Sequence, residues 1–283
     1  ITPGSMAFPM KALRDQRENI RNPKRVAEVF AGPRVVDSLH GRLSIWKEPE
    51  ATKKYDIAVD IALGIGKDES EVSPEELKTR DASVACVIER ETREQVAEWY
   101  AKSLDPLEVA TTMYWLGLYY NTAQIAIETN GIGGATNSQL SKMGYTDLYM
   151  WRYRDEIVPR YTKKTGWETN KRSKAWLVGF ANHELINHRV IIRSERLLRE
   201  MENFIRKDID AWEAAPGHND DCVMAWMITI LIADDEDFSR YYGLQKQFGG
   251  KVAGDQKPQP NPWECDMFNG GFMKKQTSEK GLD

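Results

Sequence analysis

The chain has 283 residues, of which 41% are hydrophobic and 29% charged, and its formal net charge is −4. This composition is typical of a globular protein long enough for a substantial core, in one large domain or two smaller ones. The acidic balance excludes a global basic field, so a nucleic-acid partner must meet a local basic patch. The absence of a signal-peptide pattern and of any run of about 18 apolar residues predicts a soluble, intracellular protein without a membrane partner.

The composition divides the chain into four segments. Residues 1–6, ITPGSM, indicate a cloning remnant, and residues 7–50, basic at first, predict a solvated N-terminal arm. Residues 51–245 carry alternating strand and helix patterns and form the expected main domain. Residues 246–283, rich in Gly and Pro, predict a flexible tail.

Strand and helix patterns alternate along the main domain. Period-two alternation or short apolar runs predict strands at 55–63, 82–89, 94–101, 123–128, 147–151 and 189–192. Apolar periodicity and entry signals predict helices at 105–121, from about 137, and at 172–186, 194–205 and 220–233. Between them, the sequence indicates a polar excursion at 71–80 and a long basic loop that ends near 169. The order predicts an α/β protein.

The cysteines do not indicate a structural framework. Cys86, Cys222 and Cys265 are widely spaced and form no CxxC pair. This spacing is typical of a reducing compartment and argues against a disulfide scaffold. His218 and Cys222 stand four residues apart, but two such ligands beside a carboxylate pair are a weak zinc signature, and no zinc site is predicted.

Three acidic residues stand at the ends of predicted elements. Asp60 interrupts the small-residue face of its strand, Glu128 ends a strand before a glycine turn, and Asp221 begins the last helix. Singly, each has an ordinary explanation: a solvated strand edge, the start of a loop, or an acid that serves the helix dipole. Together they indicate more, because all three lie where strand and helix ends can converge at one edge of a sheet.

Carboxylates that share one cleft need a compensating charge. They repel one another, and their burial is costly unless a partner neutralises them. Hard oxygen ligands of this kind suit Mg²⁺ or Mn²⁺. The pattern therefore predicts a site for divalent ions.

Four motifs resemble the nuclease domain of the large terminase subunit of tailed double-stranded DNA phages, which is related to the herpesvirus packaging nuclease. They are YDIAVDIALGIGKDES, YNTAQIAIETNGIGGAT, GWETNKRSKAWLV and GHNDDCVMAW, and they span about residues 55–230. The resemblance implies a ribonuclease H-like fold, in which helices flank both faces of a mixed central sheet. In this fold, three strands, a helix and a fourth strand precede a closing helix that brings the last acid.

The resemblance implies a metal-dependent endodeoxyribonuclease that cuts concatemeric viral DNA during genome packaging into procapsids. It assigns two Mg²⁺ or Mn²⁺ ions to Asp60, Glu128, Asp220 and Asp221, for phosphodiester hydrolysis by a two-metal mechanism. No GxxxxGK[ST] phosphate loop occurs, so the ATPase motor of the full-length subunit is expected to be absent. The expected partners are double-stranded DNA and, in the full assembly, the small subunit and the portal protein, in the host cell cytoplasm.

His218 and Glu200 each have an ordinary interpretation. His218 lies three residues ahead of Asp221, and the resemblance implies that it orients water or assists proton transfer. It fits equally well as a helix-entry residue that hydrogen-bonds to backbone. Glu200 belongs to a helix on which Arg and Glu alternate, and this alternation predicts ordinary surface ion pairs.

A basic stretch is predicted to hold the DNA. Residues 152–174 contain eight Lys or Arg and three Asp or Glu, a local charge of +5, with interleaved aromatic residues. Such a segment suits phosphate contacts, which set salt-sensitive affinity without reading sequence, although charge runs are usually solvated surface. The predicted DNA-binding residues are Lys163, Lys164, Asn170, Lys171, Arg172 and Lys174.

Two other classes of protein stay open at this point. Another ribonuclease H-like nuclease, such as a junction resolvase or a transposase core, shares the metal chemistry but cuts branched DNA. A non-catalytic packaging module would dock to the portal through the Pro-rich tail. Loss of cleavage in an Asp60→Ala variant that still binds DNA would exclude the packaging module.

Overall fold

The computed structural model describes residues 5–62, 81–102, 104–154, 161–208 and 211–234, without the side chains of 152–154 and 161–163. The polar excursion predicted at 71–80 and the predicted tail at 246–283 lie outside these ranges. The described residues up to Ala233 belong to one compact unit.

Twelve strands and six helices occupy the described part of the chain. The strands are β1 (Ser5–Met6), β2 (Arg25–Phe30), β3 (Arg34–Asp37), β4 (Leu43–Ile45), β5 (Tyr55–Asp60), β6 (Ser83–Glu89), β7 (Glu94–Ala101), β8 (Gln124–Ile127), β9 (Met150–Arg154), β10 (Tyr161–Thr165), β11 (Phe204–Asp208) and β12 (Ala211–Ala214). The helices are α1 (Met10–Arg17), α2 (Pro106–Tyr119), α3 (Gly133–Lys142), α4 (Lys171–Ile186), α5 (Glu195–Glu202) and α6 (Asp221–Ile232).

Seven strands form the central sheet, in the order β3-β2-β4-β7-β6-β5-β8. Neighbouring strands pair antiparallel except at one edge, where β8 runs parallel to β5 with Val59 opposite Ile127. A parallel pair needs a crossover connection, and α2 lies on the path by which the chain returns to this edge. The order of β5, β6, β7, α2 and β8 is the order expected for a ribonuclease H-like fold.

Helices cover both faces of this sheet. Alternate residues of β5, among them Ile57 and Val59, pack with Val109 and Met113 of α2 in one apolar core. On the other face, α6 lies against β5 and β6 and is buried from its first residue to its last. This burial explains why the sequence of α6 is apolar all around the helix.

The entry signals predicted for α2 are present. The side chain of Asp105 accepts hydrogen bonds from the backbone N–H groups of Leu107 and Glu108, and the Glu108 side chain accepts one from the Asp105 N–H. Two donors at the helix N-terminus are thereby satisfied reciprocally, as in a capping box. This local signal fixes the start of α2 at the position that the sequence predicts.

The segment at 7–50 contributes to the sheet. Its residues 25–45 form β2, β3 and β4, and β4 pairs with β7 through Leu43 opposite Trp99. The structure thus differs from the predicted solvated arm, because these strands carry charged residues on their outer positions and bury only a few apolar side chains. The helix α1 also buries Ala12 and Leu13.

Three further features of the structure differ from what the sequence predicts. The long basic loop contains a hairpin, in which β9 and β10 pair antiparallel with Lys163 opposite Arg152. The predicted strand at 189–192 is a single bridge between Ile191 and Glu94, and β11 and β12 form another hairpin that the sequence does not predict.

No helix within the described ranges is long and apolar enough to span a membrane.

Candidate active site

Two of the predicted acids lie at the same edge of the central sheet. Asp60 is the last residue of β5, and Glu128 directly follows β8. The two strands are parallel, and the N–H of Glu128 donates to the carbonyl oxygen of Val59 over 2.9 Å. Because parallel strands end at one edge, this pairing sets Asp60 and Glu128 side by side, although they are far apart in the sequence.

Both carboxylates are on the face of the sheet that α6 covers. Side chains alternate along a strand, and Val59 and Ile127 belong to the core on the α2 face. Asp60 and Glu128, one residue further along each strand, therefore face the other way. Glu128 is only 8% exposed, and Asp60 is half-buried. The small-residue face that the sequence assigns to Asp60 is thus the face that packs against α6.

Two glycines bring the chain close to the end of β8. A Cβ on Gly133, the first residue of α3, would lie 1.7 Å from the carbonyl oxygen of Glu128. Gly166 has φ +86°, and a Cβ there would lie 2.6 Å from the carbonyl oxygen of Ile127. Glycine is required at both positions by close approach and, at Gly166, also by conformation. The backbone at Glu128 is therefore enclosed on both sides.

Asp221 reaches the same edge from the start of α6. Its Oδ2 accepts a hydrogen bond from the backbone N–H of Ala82 at 2.9 Å and one from the side-chain amide of Asn219 at 3.3 Å. Ala82 immediately precedes β6, which is antiparallel to β5, with Asp60 opposite Val84. The start of β6 thus lies beside the end of β5, and Asp221 is held there, 8% exposed.

The electrostatics couple these acids. Burial raises the pKa of Asp60 well above its ordinary value, and the negative charge of Glu128 and a hydrogen bond between the two carboxyl groups raise it further. Asp221 and Asp220 contribute in the same direction. Burial also raises the pKa of Asp221 to about 6. A carboxylate pair this close is stable when it shares a proton or when a cation lies beside it.

The donor chemistry fits a hard divalent ion, but the acids are not gathered around one point. Within the described ranges, no group of three or more His, Cys, Asp or Glu side chains is arranged so that it could hold a metal ion. Asp60 and Glu128 lie side by side at the ends of paired strands, whereas the carboxylate of Asp221 accepts hydrogen bonds from Ala82 and Asn219. The structure therefore provides a pair of acids with a third alongside, and all three supply oxygen ligands of the kind that Mg²⁺ and Mn²⁺ prefer.

Asp220 and His218 make contacts outside the pair formed by Asp60 and Glu128. The Oδ2 of Asp220 lies 3.4 Å from the Nζ of Lys174 in a partly buried ion pair. His218 is exposed, and its backbone N–H donates to the carbonyl oxygen of Ala215 over 2.9 Å. Among the described residues, the imidazole of His218 makes no hydrogen bond or ion pair to the acids. No pattern in the sequence predicts the ion pair between Lys174 and Asp220.

The predicted DNA-binding residues lie along β10 and the first turn of α4. Lys171 and Arg172 are exposed, and the Arg172 guanidinium lies 5.0 Å from the ring centre of Trp176. Asn170 caps α4, since its side-chain oxygen accepts from the N–H groups of Arg172 and Ser173, each at 3.0 Å.

Two further members of the set lie in β10. Lys164 pairs with Glu168 at 3.3 Å, and Lys163 lies in the same strand. The side chain of Lys163 is outside the described part of the structure. Lys174, which pairs with Asp220, connects the first turn of α4 to the acids. The structure thus brings this end of the basic set next to the acidic edge.

Comparison with known proteins identifies a fold. No family model and no curated protein matches this sequence. The structure is similar to that of the large terminase nuclease from thermophilic phage G20c with bound magnesium, with a TM-score of 0.54 and 16% identity over 81% of this chain and 98% of that chain. The cobalt-bound form gives 0.53 and 15% over the same shares. A third structure of that nuclease gives 0.50 and 14% over 77% and 96%.

The chain therefore has the fold of large terminase nuclease domains. It is a mixed α/β fold of the ribonuclease H-like class, in which helices lie on both faces of a seven-stranded sheet. The resemblance stated from the sequence motifs is confirmed at the level of the fold. At identities this low, a shared fold does not by itself carry a function to the chain, which must be argued from the site.

Proposed function

We propose that this chain is a metal-dependent DNA endonuclease, the nuclease part of a large terminase that cuts concatemeric viral DNA during genome packaging. The observation that carries the proposal is the placement of Asp60 and Glu128 side by side, at the ends of the paired parallel strands β5 and β8, at an edge that Asp221 also reaches. Acids brought together in a buried setting destabilise the fold. A cation that relieves this cost and serves a reaction explains the arrangement.

The proposed ligands are Asp60, Glu128, Asp221 and Asp220. Two divalent ions at such a site supply an activated water and stabilise the leaving 3′ oxygen of a phosphodiester when they are bound. Asp60 would be the central ligand, since it lies between Glu128 at the end of β8 and the start of β6, where Asp221 is held. The large terminase nuclease from phage G20c has been solved with magnesium and with cobalt, which supports a divalent ion here. His218 is proposed to orient water or to assist proton transfer from its exposed position.

The basic residues beside the acids are proposed to hold the DNA backbone. Lys171 and Arg172 are exposed in the first turn of α4, where the helix dipole also favours phosphate. Together with Lys163, Lys164, Asn170 and Lys174, they would contact the DNA backbone without reading sequence.

The proposed partners in the full assembly are the terminase small subunit and the portal protein, and the proposed place of action is the host cell cytoplasm.

Plasmid cleavage tests the proposal. The protein is expected to nick or linearise plasmid DNA without marked sequence preference when Mn²⁺ or Mg²⁺ is present and to stop when EDTA is added. Asp60→Asn and Asp221→Asn are expected to lose cleavage and keep DNA binding. Glu91→Gln is the matched control, because Glu91 lies in the turn after β6, at the opposite end of the strands, and 67% of its side chain is exposed.

Three results would contradict this proposal. Undiminished cleavage by Asp60→Asn would remove the acid pair from the mechanism, and cleavage that persists in EDTA would remove the metal. A strong preference for branched over linear DNA would instead assign the chain to the junction-resolving class that the sequence left open.

A further inference from the structure

The start of α6 is not capped by its own residues. The first N–H groups of a helix have no partner within the helix, and the residue before the first turn usually supplies one. Here that residue is Asp220, which has φ −128° and makes no capping hydrogen bond with its side chain. Its carboxylate pairs with Lys174, and that of Asp221 accepts from Ala82. Neither carboxylate therefore caps the N-terminus of α6.

Glu200, from α5, takes over the capping. Its Oε2 accepts hydrogen bonds from the backbone N–H groups of Cys222 at 2.7 Å and Val223 at 3.2 Å. These are the second and third residues of α6. A carboxyl group at this end of a helix also meets the positive end of the helix dipole. This contact joins residues more than 20 positions apart in the chain, and it differs from the surface pairing that the sequence predicts for Glu200.

The helix that carries Glu200 is itself fixed to the sheet. Leu197, Leu198 and Met201 of α5 are buried, and Arg196 pairs with Glu98 of β7 at 2.7 Å. Glu200 is half-buried, and burial raises its pKa to about 8. In either protonation state an oxygen of the carboxyl group can accept from the two N–H groups. Gln at this position keeps that acceptor, whereas Met has similar length and lacks it.

We propose that Glu200 is a positioning residue for the proposed metal centre: by capping α6 from α5, it keeps the carboxylates of Asp220 and Asp221 at the sheet edge and out of the helix cap. This inference rests on the proposed function. Without the acceptor on Glu200, two partly buried N–H groups lose their partner, and the carboxylate of Asp220 is the expected replacement because Asp220 occupies the capping position. An acid used for capping is withdrawn from the centre.

Mn²⁺ binding, measured by titration calorimetry on the full chain, tests the role. Glu200→Met is expected to weaken Mn²⁺ binding by about 10-fold or more, the size of effect seen when a residue that supports metal ligands is lost. Glu200→Gln is expected to bind Mn²⁺ within about twofold of the wild type. The control is Glu195→Ala on the same helix, whose side chain is 40% exposed and pairs with Arg199, and which is expected to leave binding unchanged.

The outcomes separate the two proposals. Wild-type protein that binds no Mn²⁺ overturns the proposed function and this inference with it. Wild-type protein that binds Mn²⁺, with Glu200→Met binding equally well, overturns the positioning role alone, and so does a Gln variant as weak as the Met variant. If Glu200→Met does not fold, Glu200→Ala replaces it with the same expected loss of Mn²⁺ affinity, because the shorter side chain removes the acceptor without placing an apolar group against the N–H groups.

Discussion

Lys174 and Asp220 form an ion pair, with 3.4 Å between Nζ and Oδ2. The charge of a predicted DNA-binding residue is thereby neutralised by that of a predicted metal ligand. An ammonium group beside a metal site opposes the binding of a cation. We therefore expect Lys174→Met to bind Mn²⁺ about two- to fivefold more tightly, the range of a partly exposed pair, and to bind DNA more weakly. Calorimetry and fluorescence anisotropy measure the two effects.

The control for this prediction is Lys164→Met. Lys164 pairs with Glu168 rather than with a proposed metal ligand, at 3.3 Å. This variant is expected to lose DNA affinity without a change in Mn²⁺ affinity. Weaker Mn²⁺ binding in Lys174→Met would show that the lysine supports the ligand Asp220 instead of competing with the ion.

A second prediction concerns the stability cost of the acid pair. The pKa of Asp60 is raised in the folded state, so its ionisation lowers stability once the pH exceeds the unfolded value, and the cost grows as the pH rises through the folded value. Asp60→Asn removes this cost. In EDTA at pH 8, the variant is expected to melt at least about 2 °C above the wild type.

The pH dependence of that gain distinguishes charge from packing. Near pH 3, below the ordinary pKa of Asp, the wild-type carboxyl is largely protonated in both states, and the difference in melting temperature is expected to shrink toward zero. A gain that persists unchanged at low pH would indicate that Asn improves packing, and the repulsion between Asp60 and Glu128 would not be its cause.

The third prediction uses neighbouring glycines. A Cβ on Gly133 would lie 1.7 Å from the carbonyl oxygen of Glu128, whereas one on Gly134 would lie 3.5 Å from the carbonyl oxygen of Thr129, an ordinary contact. Gly133→Ala must displace the backbone at Glu128 and is expected to cost about 1–3 kcal/mol of unfolding free energy and to weaken Mn²⁺ binding. Chemical denaturation and calorimetry check both effects.

Gly134→Ala is the control for that variant. It adds the same methyl group one residue later in α3 without a clash. Because Ala favours helix over Gly, it is expected to leave stability equal or slightly higher and Mn²⁺ binding unchanged. Equal losses in both variants would place the cause in the helix and not at Glu128.

The fourth prediction concerns the exposed basic residues of α4. Each phosphate contact contributes about −0.9 to the slope of log affinity against log salt for duplex DNA. Lys171→Ala with Arg172→Ala is therefore expected to flatten the slope by about 1–2 and to leave Mn²⁺ binding intact. The paired control, Arg199→Ala with Lys207→Ala, removes two exposed cations elsewhere. An unchanged slope in the first pair would remove these residues from the DNA interface.

The sequence predicts strands β5 to β8 of the central sheet and the acids at their ends because these signals are local. Alternation along β5, the capping box at Asp105 and the apolar α6 each depend on neighbouring residues. The meeting of Asp60 and Glu128 follows from strand ends at one edge, and the structure places both there. Their roles as metal ligands stay a prediction, as do those of Asp220, Asp221 and His218.

Other features could not be read from the sequence for physical reasons. The strands β2 and β3 lie toward an edge of the sheet and expose much of their length, so the periodic burial that marks a strand is weak. The Glu200 bond to Cys222 and the Lys174 pair with Asp220 join distant residues through tertiary packing. No periodicity or spacing encodes such contacts.

The complete burial of α6 has a consequence for how the acid at its head behaves. A side chain on a surface loop can change position at little cost, because few neighbours move with it. Asp221 is the first residue of a helix that is buried along its whole length. Its backbone therefore cannot shift unless close-packed neighbours such as Trp226 shift as well. Changing the size of side chains in the interior should therefore displace Asp221, and on heating Asp221 should hold its position until the core itself loosens.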